Sequence, residues 1–401
     1  MNHPHHEPRL HISRDALLHN ARLIRRQLAP GTKICAVVKA NAYGHGADIV
    51  VDTLCNFACD GIPTPAVDML AAGSLGEAMA LPESSLPVLV LRTVENVYIG
   101  PARAIIEQAI QSNRILTVGT GSAADDIARI AMSLHRRAMI HVMIDSGMTR
   151  CGCDIAHLPQ LLERIESHSS LKLFSIGTHL ATSDAADDDF VIEQAARFRN
   201  ATSDFVAKST RGPLRTVANS GGVFFYPQAH FDLVRPGISL YGIDPTCGPN
   251  MQRPLQPVAK WTAPIISILN APAGATIGYG RTWKSPRDTR VGLVPVGYAD
   301  GYLRCLGNRA SMIVHGQAVP VVGRVSMDLT TIDLHDVPAT QVGDEVTVMD
   351  NDPMSAASIY ALAEIAETIP YELFTRIGPR VKRMAVQRVA TESAENTEIK
   401  H

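Results

Sequence analysis

Lys39 closes the apolar run KICAVVK. A lysine whose stem is buried and whose amine faces a cleft can titrate low enough to act as a nucleophile towards a carbonyl, which is Schiff-base chemistry. Taken alone, the same lysine also reads as a side chain snorkelling from a sheet rim. Other functional types stand at the ends of later apolar runs: Arg150 just past 142–145, His179, Asn219 with Ser220, and Arg235 with Gly237. An ion-paired surface arginine and a packed core histidine are the plain alternatives for Arg235 and His179. Their meaning depends on the elements that carry them.

From residue 33 to about 243, short apolar runs alternate with amphipathic stretches: KICAVVK, VDML, LPVLVL, RILTV, AMIHVMID, LKLFSIGTHL, LRTVANS and FDLVRPG. Eight strand candidates, followed by helix-compatible sequence such as 155–168 and 190–208, predict an α/β fold in the form of a (β/α)8 barrel. An open doubly wound sheet is the alternative. Sites in such barrels are built at the C-terminal strand ends, where the residues named above fall. After residue 245 the loop-like CGPNMQRPLQP leads into sequence rich in Val, Ile and Thr, with turns at APAG, GNR, VHGQ and VGDE. That pattern predicts a mainly β C-terminal domain with one helix over 355–368. The expected division is a barrel over 14–246, a β domain over 247–388 and a mobile polar tail over 389–401.

The 401 residues carry 37 Lys and Arg against 39 Asp and Glu, a net charge of −2, which provides no basic field for nucleic acid or an anionic membrane surface. With 46% hydrophobic and 19% charged residues the chain has a folded protein's balance, and a small-molecule enzyme is the leading class. No apolar stretch approaches the roughly 20 residues of a membrane span. The start, MNHPHHEPRLHISRDALL, lacks the basic patch and apolar run of a secretory leader, so a cytoplasmic protein is expected. Cys35, Cys55, Cys59, Cys151, Cys153, Cys247 and Cys305 are odd in number and scattered, which favours free thiols, with a Cys151/Cys153 metal pair as the alternative. His3, His5 and His6 read as a solvated terminus, and no metal is assigned.

The segment AVVKANAYGHG resembles the signature of the alanine racemases. The resemblance continues in order through IDSGMTRCG, GTHLATSDAADDDF, VANSGG, FDLVRPGISLYGIDP, IGYGRTW, VPVGYADGYLR, VVGRVSMD and IPYELFTRIGPRV. It implies a barrel that holds pyridoxal 5′-phosphate on Lys39 and a β domain that residues 1–13 join as a strand. It also implies interconversion of L- and D-alanine in a homodimer with composite active sites. Supply of D-alanine for peptidoglycan is the implied role, with alanine catabolism open beside it.

Racemisation removes a proton from one face of Cα and returns one to the other, most simply with two acid/base groups. By resemblance these are Lys39 and Tyr279, the latter from the partner subunit, although a tyrosine in a β domain more commonly packs. Tyrosine ordinarily titrates near pH 10 and needs help. The resemblance supplies His179 and Arg235, linking that tyrosine to the pyridine nitrogen. Arginine keeps its proton, so Arg235 would donate to an unprotonated ring nitrogen and restrain the cofactor as an electron sink. Phosphate needs backbone donors and small residues, which ANSGG and RPGI offer. The implied contacts are Tyr43, Asn219, Ser220, Gly237, Ile238 and Tyr371. Arg150 is implied to hydrogen-bond near the cofactor's phenolate oxygen and to bind substrate, Met327 and Asp328 of the partner chain border the substrate carboxylate, Tyr298 and Tyr371 narrow the entrance, and Asp184, Arg304 and Arg324 match a polar outer shell.

The sequence departs from the family at three places. Where many relatives have a carbamylated lysine to support the motif arginine, this chain has Met143; a frequent histidine is Thr216, and a frequent cysteine is Ser326. A chloride, another acid or water is expected to take the lysine's place beside Arg150. A serine or broader racemase, a decarboxylase and a silent pyridoxal-phosphate-binding protein remain as other readings; Arg235 argues against the second, and Lys39 with Tyr279 against the third.

Overall fold

The computed structural model describes residues 7–57, 64–95, 101–186, 188–207, 212–250 and 252–387. Cys59, His3, His5, His6 and the tail 389–401 therefore lie outside the described residues. The chain divides into two compact units, one of Leu18–Ala42 with Val50–Leu240, the other of Met1–Leu17, Tyr43–Ile49 and Tyr241–His401.

The chain enters through β1 (Arg9–Ser13) and the helix Arg14–Arg26, then builds β2 (Lys33–Val37), β3 (Met69–Ala72), β4 (Val88–Thr93), β5 (Ile115–Val118), β6 (Ala138–Asp145), β7 (Cys153–Asp154), β8 (Leu171–Gly177), β9 (Leu214–Thr216) and β10 (Leu233–Val234). Eight of these pair in parallel in the order β5-β4-β3-β2-β10-β9-β8-β6, and pairing of β5 with β6 closes the barrel, while β7 hangs on β6. Closure removes the open doubly wound alternative. Every residue of β3 and β5 is buried, as parallel strands covered by helices on one side and packed inside on the other require. Local signals start the covering helices. Thr120 caps Gly121–Ser133 through Ala123 N–H, and a proline stands in the first turn of Leu158–Ser167.

The second unit holds β11 (Ala259–Pro264), β12 (Ser267–Ala271), β13 (Thr276–Ile277), β14 (Trp283–Lys284), β15 (Thr289–Val294), β16 (Ser311–Val314), β17 (Gln317–Pro320), β18 (Thr330–Asp333), β19 (Glu345–Met349) and β20 (Lys382–Val386). Its main sheet runs β17-β16-β19-β11-β1-β20, beside sheets β12-β15-β18 and β13-β14. β1 pairs antiparallel with β11 and parallel with β20. The VHGQ turn joins β16 to β17 through His315 and Gly316, both at positive φ, which is the backbone that matches the twist of a two-residue hairpin. The single helix expected over 355–368 is instead two: Ile359–Ala366, which Ser358 caps by accepting from Ala361 and Glu367 ends in the left-handed region, and Pro370–Arg376, which starts afresh on a proline in its first turn. The six described cysteines are free thiols, and no group of three metal-ligating side chains occurs among the described residues. No helix of the described chain is long and apolar enough to cross a membrane.

Candidate active site

Lys39 follows the end of β2, and its backbone surroundings are unusual. Ala40, Asn41, Ala42 and Tyr43 all have φ between 52° and 54°. Left-handed backbone costs an ordinary residue about 1–2 kcal/mol, so four in succession persist only where neighbours hold them. Ala42 N–H donates to Val38 O at 2.9 Å, and Ala40 N–H to Glu77 Oε1 at 2.9 Å. Lys39 is exposed at the strand end, yet enough protein surrounds its amine that desolvation comes first among the causes lowering its pKa. Repulsion from Arg150 follows, and Glu77 opposes both.

Arg235 lies fully buried after β10. Nη1 donates to Thr216 Oγ1, and Nη2 to the carbonyls of Thr178 and Val217 at 2.7 and 3.4 Å. Its Nε–H makes no hydrogen bond to a described residue, and burial lowers its pKa to about 10, so it stays charged at neutral pH. Thr216, standing where relatives often have histidine, is thus a direct partner of the guanidinium. His179 follows β8; burial first, then the charges of Arg235, Arg150 and Lys39, depress its imidazole to about 3. It is neutral at physiological pH. Arg150 is exposed and makes no hydrogen bond or ion pair to a described residue, while Met143 is buried in β6.

The turn after β9 is built by side chains. Asn219 accepts from Gly222 N–H at 3.0 Å and from Ser183 Oγ at 2.8 Å, and the first-turn N–H groups of Ser220 and Gly221 have no acceptor within their helix by geometry. Ser220 Oγ accepts from Gly237 N–H at 3.0 Å and Ser239 N–H at 3.3 Å, on either side of buried Ile238. A Cβ on Gly221 would fall 1.7 Å from the Ser183 carbonyl oxygen, so the packing of this turn itself demands that glycine.

The remaining candidates lie in the other unit. Tyr279 stands in a one-turn helix, Tyr279–Arg281, and is 73% exposed, which removes the packing reading for it within this chain. Met327 and Tyr298 are exposed as well. The Arg324 guanidinium lies against Gly280. Tyr298 N–H donates to Ser326 O and Ala299 N–H to Met327 O, both at 3.0 Å, tying the two loops together. Arg380 completes the group, bonding Asp328 Oδ1 at 2.7 Å and buried Asp300 Oδ1 at 2.9 Å. Tyr43 packs tilted against Tyr241, ring centroids 4.9 Å apart, and its ring lies 6.1 Å from that of Tyr371. Arg304 is exposed in a short turn, and Asp184 is exposed in the loop after His179. Glu77 and Arg380 escaped the sequence reading; the signals were the S-x-x-E pattern at 74–77 and the arginine of IGPRV.

A closed parallel barrel with a lysine just past the end of its first strand, in a chain that continues into a mainly β unit, defines the class as a lysine-bearing barrel enzyme. The alanine racemase N-terminal domain family matches residues 12–245 and the alanine racemase C-terminal domain family residues 258–385. An alanine racemase of Sorangium cellulosum is 36% identical over 92% of this chain and 96% of its own. Alanine racemase 2 of Caldanaerobacter subterraneus subsp. tengcongensis is 33% identical over 95% of each. Among solved structures, alanine racemase from Streptomyces coelicolor aligns with TM-score 0.84 at 29% identity, covering 95% of this chain and 98% of that one. The Bartonella henselae alanine racemase, with covalently bound pyridoxal phosphate, gives 0.80 at 28% identity over 95% and 99%. The chain belongs to the alanine racemase family, which consists of pyridoxal-phosphate-dependent isomerases.

The barrel residues fit such a group. Arg150 lies within electrostatic reach of both Lys39 and Arg235, a basic setting that suits an anionic ligand, and the Nε–H of Arg235, absent from its three hydrogen bonds, suits a neutral ring-nitrogen acceptor.

Proposed function

We propose that the protein interconverts L- and D-alanine with pyridoxal 5′-phosphate held on Lys39, as a homodimer in which Tyr279 of one protomer serves the barrel of the other. The observation that carries this reading is the set Lys39, His179 and Arg235 at three strand ends of one barrel: a lysine amine biased towards its neutral form, a neutral imidazole and a buried guanidinium whose Nε–H enters none of its three hydrogen bonds. When bound, the cofactor supplies the electron withdrawal that makes the substrate's Cα–H acidic.

The chain's own groups do the rest. Lys39 would hold the cofactor and would carry a proton at Nζ on one face of Cα. Tyr279 carries the other proton at its hydroxyl, and His179 gives that hydroxyl a neutral hydrogen-bonding partner. Arg235 would donate through Nε to the cofactor's ring nitrogen and, being always charged, would not pass its proton on. The first-turn peptides of Ser220 and Gly221, with Gly237, Ile238, Tyr43 and Tyr371, would hold the phosphate, and Asn219 fixes that turn. Arg150, with Met327 and Asp328 of the partner protomer, binds the substrate carboxylate. Tyr298 and Tyr371 restrict the side chain to about the size of methyl.

The test is incubation of the purified, cofactor-loaded protein with L-alanine and, in parallel, L-serine in deuterated water, followed by chiral mass spectrometry. D-alanine carrying Cα deuterium is expected well ahead of D-serine. Comparable turnover of serine would move the protein to a broad racemase, and no exchange with either would leave a silent cofactor-binding protein.

A second expectation concerns Arg380, which ties Asp328 to Asp300. Arg380→Ala should raise KM for alanine roughly three- to tenfold while kcat falls less, because a loosened binding group costs placement rather than chemistry. Unchanged KM would mean that Asp328 keeps its place unaided.

A further inference from the structure

A carboxylate that the reaction above does not employ stands next to Lys39. Glu77 belongs to the helix Leu75–Ala80, where Ser74 and Glu77 form a capping box: Glu77 N–H donates to Ser74 Oγ at 3.3 Å and Ser74 N–H to Glu77 Oε2 at 3.2 Å. Capping requires nothing more of this side chain. It nevertheless makes two further bonds. Oε2 accepts Gly73 N–H at 2.7 Å, and Oε1 reaches to the neighbouring strand end to accept Ala40 N–H at 2.9 Å. Ala40 is the first of the four left-handed residues and follows Lys39 directly. The lysine stem and the carboxylate both flank Gly73, where a Cβ would fall 2.8 Å from Glu77 Oε2 and 3.3 Å from Lys39 Cβ.

We propose that Glu77 is a positioning residue for Lys39: its carboxylate clamps the left-handed turn to the end of β3 and sets a negative charge near the lysine amine, opposing Arg150. The clamp addresses the strain, since Ala40 and Ala42 have no intrinsic preference for left-handed backbone. The charge addresses the amine. Desolvation and Arg150 both drive it neutral, and Glu77 restrains them, so the lysine can still take up a proton as well as give one. This rests on Lys39 being the cofactor lysine.

The experiment uses the full chain stripped of cofactor, labelled over a pH series with acetic anhydride, with acetylation of Lys39 read by peptide mass spectrometry. Glu77→Gln keeps the size and one acceptor oxygen but removes the charge. Its Lys39 midpoint should move to lower pH, and near neutral pH the amine should label about three- to tenfold faster than in the parent. Glu77→Asp should return the midpoint part of the way. A midpoint unmoved in both variants, whatever happens to the melting temperature, makes Glu77 a helix cap and overturns the proposal. A second measurement needs no variant. Ala40 is exposed, so amide hydrogen exchange of its N–H in the parent should be at least about tenfold slower than an open peptide if the clamp is held, and exchange at the open rate overturns it. The cofactor's attachment is read separately, by borohydride reduction and peptide mapping of the loaded parent. A tag on another residue sinks the reading of the site, whereas an unmoved midpoint sinks only the role of Glu77.

Discussion

Lys39→Ala is expected to give a folded protein whose alanine racemisation and Cα exchange have fallen by roughly 10⁴-fold or more, since one residue loses both the covalent anchor and one proton carrier. The fold should survive, because the lysine stands exposed at a strand end and alanine keeps its Cβ. Stability has a sign of its own. The folded environment lowers the pKa of Lys39 below its unfolded value, so below that lowered value the charged lysine weakens the folded state. The variant should therefore melt slightly higher than the cofactor-free parent at neutral pH. That advantage should fade as pH rises through the window between the folded value and the ordinary lysine value of about 10.4, above which the amine is neutral in both states. Exchange retained above about 1% of parent would mean that another base serves that face.

The barrel was legible because parallel strands wrapped by helices read as unbroken apolar runs. Each of the eight runs lies on a barrel strand, with VDML offset to Met69–Ala72 because Val67 and Asp68 precede the pairing. Strand ends then singled out Lys39, Arg150, His179, Asn219 with Ser220, and Arg235 with Gly237, and it was the resemblance of the surrounding motifs that set them above their plain structural alternatives. Two things were hidden. The left-handed turn 40–43 has no signature in Ala40 or Ala42, whose side chains favour ordinary helix, and only Gly44 and Gly46 hinted at irregular backbone. Glu77 was hidden in a different way. Its S-x-x-E spacing is visible, but a capping box is explained by its own helix, so nothing in the sequence says that one oxygen reaches across to Ala40. Arg380 shows the same limit: a motif displays an arginine without displaying the two aspartates, 52 and 80 residues away, that it joins.

Tyr279→Phe should separate the two faces of the reaction. Removing one hydroxyl deletes the proton carrier on one side and leaves Lys39 on the other, so racemisation should fall about 10³-fold while one enantiomer of alanine still exchanges its Cα proton. Loss of exchange for both would place the hydroxyl in binding rather than proton transfer. The exposure of Tyr279 leads to the stronger form of the test. A tyrosine 73% exposed, in the same unit as exposed Met327 and Tyr298, is presented outward, as expected of a group that serves a second protomer. If so, each active site needs Lys39 from one chain and Tyr279 from the other. Mixing Lys39→Ala with Tyr279→Ala chains under conditions of subunit exchange should then create heterodimers with one site wholly intact and one doubly damaged. With random pairing the recovered activity should approach about a quarter of the parent's. Recovery near that ceiling, against almost none for either variant alone, is a result that a self-contained monomer site cannot give. No recovery, with exchange of subunits demonstrated by mass, would return both groups to one chain.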